Sequence, residues 1–185
     1  MDNRKEQIVS LTLELIRKKG YVAISYDDIS KKLGVTKASI HYHFEKKEDL
    51  AIALTGKLHK SFERLVLSTK DVSMPVEEKI NQFITKQFEL GGDAICPLSS
   101  LQTDYESLPE AVQQRVQVLS QFEFTSWVDV LTEAQKEGIV NSYVNTESLA
   151  YAVLSCIKGG MQYNRVLSKN IIPQVVDQIN RLIRC

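Results

Sequence analysis

A chain of 185 residues with 43% apolar content can bury a substantial core, which excludes a disordered tail or linker. No run approaches the roughly 20 apolar residues of a membrane span, and the opening MDNRKEQIV lacks the apolar core of a signal peptide. A cytoplasmic protein with no membrane partner is therefore expected. Its 23 basic and 23 acidic residues cancel, which taken alone argues against nucleic acid, but the charges are unevenly placed. Residues 1–70 carry 14 Lys and Arg against 9 Asp and Glu, whereas residues 71–185 carry 9 against 14. A basic leading part on an acidic remainder suits a nucleic-acid-facing module. Cys96, Cys156 and Cys185 are widely spaced and form no CxxC, so neither a disulfide framework nor a zinc site is indicated.

Arg4 to Lys19 places Ile8, Leu11, Thr12, Leu15 and Ile16 at intervals of three and four, the mark of an amphipathic helix. Lys18 and Lys19 suit its last turn and Gly20 stops it. Ser25, with Asp28 three residues on, predicts a capping box for a second helix with Ile29 and Leu33 on one face. Gly34 permits a tight turn. Thr36 then caps a third helix, anchored inward by Val35, Ile40 and Phe44. Two short helices joined by a glycine-bearing turn match the helix-turn-helix. A long helix follows from Lys47 to about Ser68, with Leu50, Leu54, Leu58, Phe62 and Leu65 as its stripe. It spans about 33 Å and is placed to link a head to a body.

In the body, Ser73 and Pro75 predict the start of a helix that Gly91 and Gly92 end. A shorter helix is expected over about Ile95 to Glu106, with Pro97 in its first turn. Ser107-Leu-Pro-Glu110 reads as a capping box opening a helix to about Glu137, closed by Gly138. Thr146 is expected to cap the next helix, which runs to about Ser168 and is rich in small residues: Ala150, Ala152, Ser155, Cys156, Gly159 and Gly160. Such a surface lets another helix approach closely. The last helix, to Arg184, carries Ile172, Val175, Val176, Ile179, Leu182 and Ile183. That face is wide for a terminal helix and points to a partner subunit. The fold class is all-α, about nine helices: a three-helix DNA-binding domain over 1–50 and a helical domain over 51–185.

Residues 8–54 resemble the N-terminal domain of the tetracycline-repressor (TetR) family of bacterial transcriptional regulators. The matching features are Lys19-Gly20-Tyr21, Asp28-Ile29-Ser30, Leu33-Gly34-Val35, Lys37-Ala38-Ser39-Ile40, and the aromatic/His cluster ending in Phe44, with Lys47 and Leu50. A further likeness to a subgroup lies in Cys96-Pro-Leu and Leu108-Pro-Glu. The resemblance implies a homodimer whose last two helices pair as a four-helix interface. It also implies an effector-binding body and repression of a palindromic operator that a small molecule relieves. The family usually has tyrosine where this chain has His41, a position often used on the phosphate backbone.

Lys37, Ala38 and Ser39 lie in the first turn of the third helix, the part that enters the major groove. Lys37 suits guanine and Ala38 a thymine methyl. Thr36, His41, Tyr42, His43 and Lys47 are placed for phosphate or sugar; at Lys47 both the ammonium group and the helix-start amides are available. His41 and His43 are two apart on a helix and do not share a face, so no metal site is expected. Phe88, Leu98, Leu101, Tyr105, Phe122, Trp127, Tyr151, Gln162 and Tyr163 are candidates to line an effector pocket, or are ordinary core. Cys96, before Pro97 at a helix start, is either a sensor of electrophiles or a small buried residue. His41, His43 and His59 all fall in the leading part, and no nucleophile–base pair or phosphate loop is visible. An enzyme and a cofactor are therefore not expected. An architectural DNA-binding protein without an effector remains the alternative.

Overall fold

A computed structural model describes residues 3–70, 73–91 and 94–184. Among these the elements run α1 (Asn3–Lys19), α2 (Tyr26–Leu33), α3 (Lys37–His43), α4 (Lys47–Ser68), α5 (Val76–Gly91), α6 (Pro97–Thr103), a 3-10 turn (Tyr105–Ser107), α7 (Glu110–Lys136), α8 (Thr146–Leu167) and α9 (Ile172–Ile183). No strand occurs among the described residues, so the all-α expectation holds there. Gly92 and Cys185 lie outside the described residues. No described helix is long and apolar enough to cross a membrane.

The chain divides into two compact units. The first comprises residues 1–60 and 97–119, the second residues 61–96 and 120–185. In the first unit the apolar faces of α1 to α4 meet as the periodicity predicts. Ile8, Ile16, Ile29, Ile40 and Leu54 have no exposed surface, and Phe44 retains 2%. Fully burying one such side chain stabilises by about 1.5–3 kcal/mol. This cluster therefore holds α2 and α3, short helices that would be unstable alone. The helix α6 packs on α1 in the same unit. Leu98 and Leu101 on α6, with Val112 and Val116 on the leading half of α7, are core residues there.

The second unit buries Trp127, Leu131, Val153 and Ile157, with Phe83 edge-on to the Trp127 ring at 5.3 Å. It also buries charge. The Glu123 carboxylate accepts from Lys158 Nζ at 2.6 Å and from Gln87 Nε2 at 3.1 Å, and Lys79 Nζ donates to Glu133 at 2.7 Å. Each of these ions has a partner, the condition under which buried charge is tolerated. The helix α9 lies close against α8 at Gly160, where a Cβ would stand 3.0 Å from Val175 Cγ1. The small surface of α8 is thus used partly within the chain. Ile179 and Ile183 are the fully covered members of the α9 face, while Val175, Val176 and Leu182 are only half-buried.

Two expected caps are corrected. The α7 start is set by Pro109, whose carbonyl accepts from Val112 and Gln113 at 2.9 Å each. Ser107 is consumed by the preceding 3-10 turn, donating its N–H to Asp104 O at 2.8 Å. The α8 cap is Asn145, not Thr146: its side-chain oxygen accepts from Ser148 N at 2.8 Å, and Thr146 becomes the first helical residue. The expected helix over Ile95–Glu106 is also shorter, ending at Thr103 before the 3-10 turn.

Candidate nucleic-acid interface

Ser25 and Asp28 fix α2 by a complete capping box. Ser25 Oγ accepts from Asp28 N at 3.2 Å, and Asp28 Oδ2 accepts from Ser25 N at 2.9 Å. Lys19 Nζ closes on the other carboxylate oxygen at 3.0 Å. Hydrogen bonds from the Ser25 hydroxyl, then the Ser25 amide, then Lys19 hold the Asp28 carboxyl well below the usual carboxylate range. Gly34 ends α2 at φ 65°, in the left-handed region, and sends its N–H back to Ser30 O. Thr36 caps α3 by accepting from Ser39 N at 3.2 Å. Its hydroxyl hydrogen stays available to a phosphate oxygen.

The rear of α3 is locked down. Ile40 and Phe44 are buried, and the Tyr26 hydroxyl donates to Phe44 O at 2.9 Å. Burial, with the Asp49 charge second, pushes the Tyr26 phenol up to about 12, so at neutral pH it remains a donor. Its front is open. Lys37, Ala38, His41 and Tyr42 are exposed, Tyr42 by 86%, while Ser39 and His43 are half-exposed. The Tyr42 and His43 rings meet edge to face at 5.1 Å. The structure thus brings Thr36, Lys37, Ala38, Ser39, Tyr42 and His43 onto one short, rigid helix and its cap.

His41 and Lys47 are placed differently from the rest. His41 packs edge-on against Tyr26 at 4.7 Å, and its Nδ1 lies 3.2 Å from Glu45 O. A carbonyl can only accept, so this bond requires the proton on Nδ1. Nε2 of the neutral ring is then an acceptor, unable to donate to phosphate. Lys47 turns inward. Its ammonium donates to Val22 O at 3.1 Å and sits 4.5 Å above the Tyr21 ring, whose hydroxyl donates back to Lys47 O at 3.1 Å. Desolvation lowers the Lys47 pKa, opposed by the charges of Asp104 and Asp28. The Lys47 side chain therefore ties the α1–α2 link to the start of α4, and the exposed lysine there is Lys46. Asp49 also accepts from Lys46 N at 2.9 Å, capping α4.

Four contributors are not among the residues expected from the sequence: Asp27, Lys5, Ser100 and Asp104. Asp27 on α2 binds Lys37 at 3.0 Å and Lys31 at 2.6 Å. The i,i+4 spacing of Asp27 and Lys31 was a readable signal, but the bond to Lys37 was not. Lys5 stands 5.2 Å over the Phe44 ring and lines the groove beside His41, Tyr42 and His43. Ser100 Oγ on α6 accepts from Tyr21 N at 3.1 Å, and Asp104 Oδ2, just after α6, accepts from Val22 N at 3.2 Å, satisfying the link between α1 and α2.

The candidate effector residues are distributed over both units. Leu98, Leu101 and Tyr105 belong to the first unit; Phe88, Cys96, Phe122, Trp127, Tyr151, Gln162 and Tyr163 belong to the second. Trp127 is fully buried, and its Nε1 has no hydrogen-bond partner among the described residues. Phe88 and Phe122 are half-buried, whereas Tyr151, Gln162 and Tyr163 are exposed on α8. Tyr151 stacks on Phe124 at 4.2 Å. The Cys96 side chain is 4% exposed, which shields its thiol from reagents in solution. Among the described residues no group of three or more His, Cys, Asp or Glu is arranged to hold a metal ion.

Residues 8–54 match the family described as bacterial regulatory proteins, tetR family. Among curated relatives, an uncharacterized HTH-type transcriptional regulator, YerO of Bacillus subtilis strain 168, is 29% identical over 91 residues. That match takes in 48% of this chain and 32% of the relative. The biofilm operon icaADBC HTH-type negative transcriptional regulator IcaR of Staphylococcus epidermidis is 39% identical over 46 residues, 25% of each chain. The similarity thus spans about a quarter to a third of these relatives. Solved structures match far more of the chain. A TetR transcriptional regulator from Legionella pneumophila aligns with TM-score 0.80 and 26% identity over 99% of this chain and 96% of its own. A TetR-family regulator from Agrobacterium tumefaciens aligns with TM-score 0.87 and 24% identity over 98% and 97%. With the helix-turn-helix geometry and the agreement in fold along the whole length, the family match places the head, residues 8–54, in the tetR family of bacterial regulatory proteins.

Proposed function

We propose that this protein is a DNA-binding transcriptional repressor that acts as a homodimer on a palindromic operator and is released by a small-molecule effector. One observation carries the DNA-binding part. The exposed face of α3 presents Lys37, Ala38, Ser39 and Tyr42 on a helix locked at both ends, by the Thr36 cap and by the Tyr26–Phe44 bond. A rigid helix with polar and basic side chains on its open face and apolar ones on its rear can enter a major groove without reordering. Residues 1–50 take the DNA-binding role, and residues 51–185 the effector and dimerisation roles. The negative regulation named for the Staphylococcus epidermidis relative supports repression as the direction.

Homodimerisation is supported by the surface of α8. Tyr151, Tyr163 and Val166 are 61%, 64% and 76% exposed, with Ser155 and Gly159 between them. Exposed apolar side chains flanking small ones suit contact with a second copy. Effector binding is supported by the second unit, where Trp127 Nε1 is a buried donor without an acceptor among the described residues. A ligand bearing an acceptor would satisfy it. Burial of Cys96 favours such a non-covalent effector over modification of the thiol.

The function is tested with the full chain and a duplex pool of randomised sequence. The expected result is enrichment of an inverted repeat, bound by a dimer, whose affinity falls at least tenfold in Lys37→Ala. A chain that enriches no sequence over the starting pool overturns the reading.

A further inference from the structure

Asp27 is an unusual residue to find on a DNA-facing surface. It lies in the first turn of α2, and its carboxylate is 37% exposed, so phosphates would repel it. Yet Oδ1 holds the ammonium of Lys37, in the first turn of the groove-facing helix, at 3.0 Å, while Oδ2 holds Lys31 at 2.6 Å. The Asp27 carboxylate thus stands beside the Lys37 ammonium on the same surface. The Lys31–Asp27–Lys37 group keeps a net charge of +1, so the acid does not approach DNA uncompensated. A carboxylate has about four acceptor positions, and an ammonium has three donors. The two ion pairs therefore leave both Asp27 oxygens and Lys37 able to bond further.

The geometry points to Asp27 and Lys37 reading one G·C base pair as a single unit, which makes Asp27 a specificity-determining residue. This inference rests on the DNA-binding reading above. At the major-groove edge, guanine presents N7 and O6 as acceptors, and its paired cytosine presents the N4 amino group as a donor beside O6. An ammonium and a carboxylate 3.0 Å apart match that acceptor–donor neighbour pair: Lys37 donates to O6 and N7 while Asp27 accepts from N4. A·T pairs with adenine in place of guanine present the reverse order. They place the N6 donor against the ammonium and leave the carboxylate facing the O4 acceptor of thymine. On random DNA the same carboxylate occupies Lys37 and repels phosphates, weakening binding where no G·C pair is in register.

The test compares the wild-type chain with D27N, D27E and K37A, first by selection from a randomised duplex pool. Affinities are then measured for the selected duplex and for versions changed at one base pair. The wild type is expected to prefer G·C at one position of each half-site by at least tenfold. D27N and K37A are expected to reduce the preference at that same position below threefold, with D27E retaining part of it. D27N is also expected to bind random-sequence DNA more tightly than the wild type. The α2 cap is made by Ser25 and Asp28, so D27N should keep the helix content and melting temperature of the wild type, which is checked alongside. Unchanged discrimination in D27N at every position, or relaxation at different positions in D27N and K37A, overturns the inference while leaving the DNA-binding reading intact. A wild type that enriches no sequence overturns that reading instead.

Discussion

His41 and Lys47 show how much a side chain's role depends on partners far along the chain. The Lys47 position is legible from the sequence, because the register of α3 and α4 follows from local caps and apolar spacing. Its inward turn is not legible, because Val22 and Tyr21 lie about 25 residues away and meet it only in the folded head. Replacing Lys47 by Met should therefore destabilise the head as well as weaken DNA binding, read as a lower melting temperature before any DNA is added. Replacement of Lys46 should leave the melting temperature unchanged and only reduce affinity and its salt dependence. At His41, the Nδ1 bond to Glu45 O leaves Nε2 without a proton in the neutral ring. Substitution by tyrosine supplies a hydroxyl donor, and is expected to raise operator affinity several-fold in a binding titration; a fall would contradict the expectation that this position faces the phosphates. Tyr21, which is buried, and Tyr26, which is half-buried, give a pH signature. The phenols of Tyr21 and Tyr26 are both pushed up to about 12 by burial, so folding favours their protonated forms. Their contribution is fully present below pH 10 and is lost as pH rises from about 10 to 12. The double Tyr→Phe variant should lose much of that alkaline dependence in chemical denaturation measured across the window.

Caps explain most of what was legible in the helices. Ser25, Thr36 and Gly34 act on neighbours within four residues, so α2, the turn and α3 could be read directly. The reading failed where a local competitor took the same group. Ser107 is drawn into the 3-10 turn, and Asn145 precedes Thr146 with an equally suitable acceptor. The α2 cap predicts its own effect: Ser25→Ala should cost about 1 kcal/mol of head stability. The Asp28 half of the box has a depressed carboxyl, so its contribution is present above about pH 4 and fades as pH falls through its lower folded value. Gly34 at φ 65° should tolerate no Cβ-bearing residue without strain of about 1–2 kcal/mol, even though the surrounding space is open. Heat denaturation of Gly34→Ala measures this directly; an unchanged melting temperature would mean the turn adjusts freely.

For the molecule as a whole, periodicity made the class and order of the helices readable, and charge by halves separated a basic head from an acidic body. Periodicity did not reveal that α6 packs on α1, or that Glu123 is a buried acid. Both depend on contacts between distant segments. Removing the Glu123 carboxylate takes an acceptor from Lys158 Nζ and from Gln87 Nε2, so Glu123→Ala should cost about 3–5 kcal/mol, the usual penalty for breaking a buried ion pair from one side. Denaturant unfolding would show it, and a loss under 1 kcal/mol would mean that Lys158 simply reaches solvent. DNA reading is assigned to the exposed face of α3. The most direct measurement is selection from a randomised duplex pool by the full-length wild type and by Lys37→Ala, followed by titration of the selected duplex. The wild type is expected to select an inverted repeat, and the variant to lose at least tenfold in affinity. Equal affinity and the same selected sequence in both would contradict it.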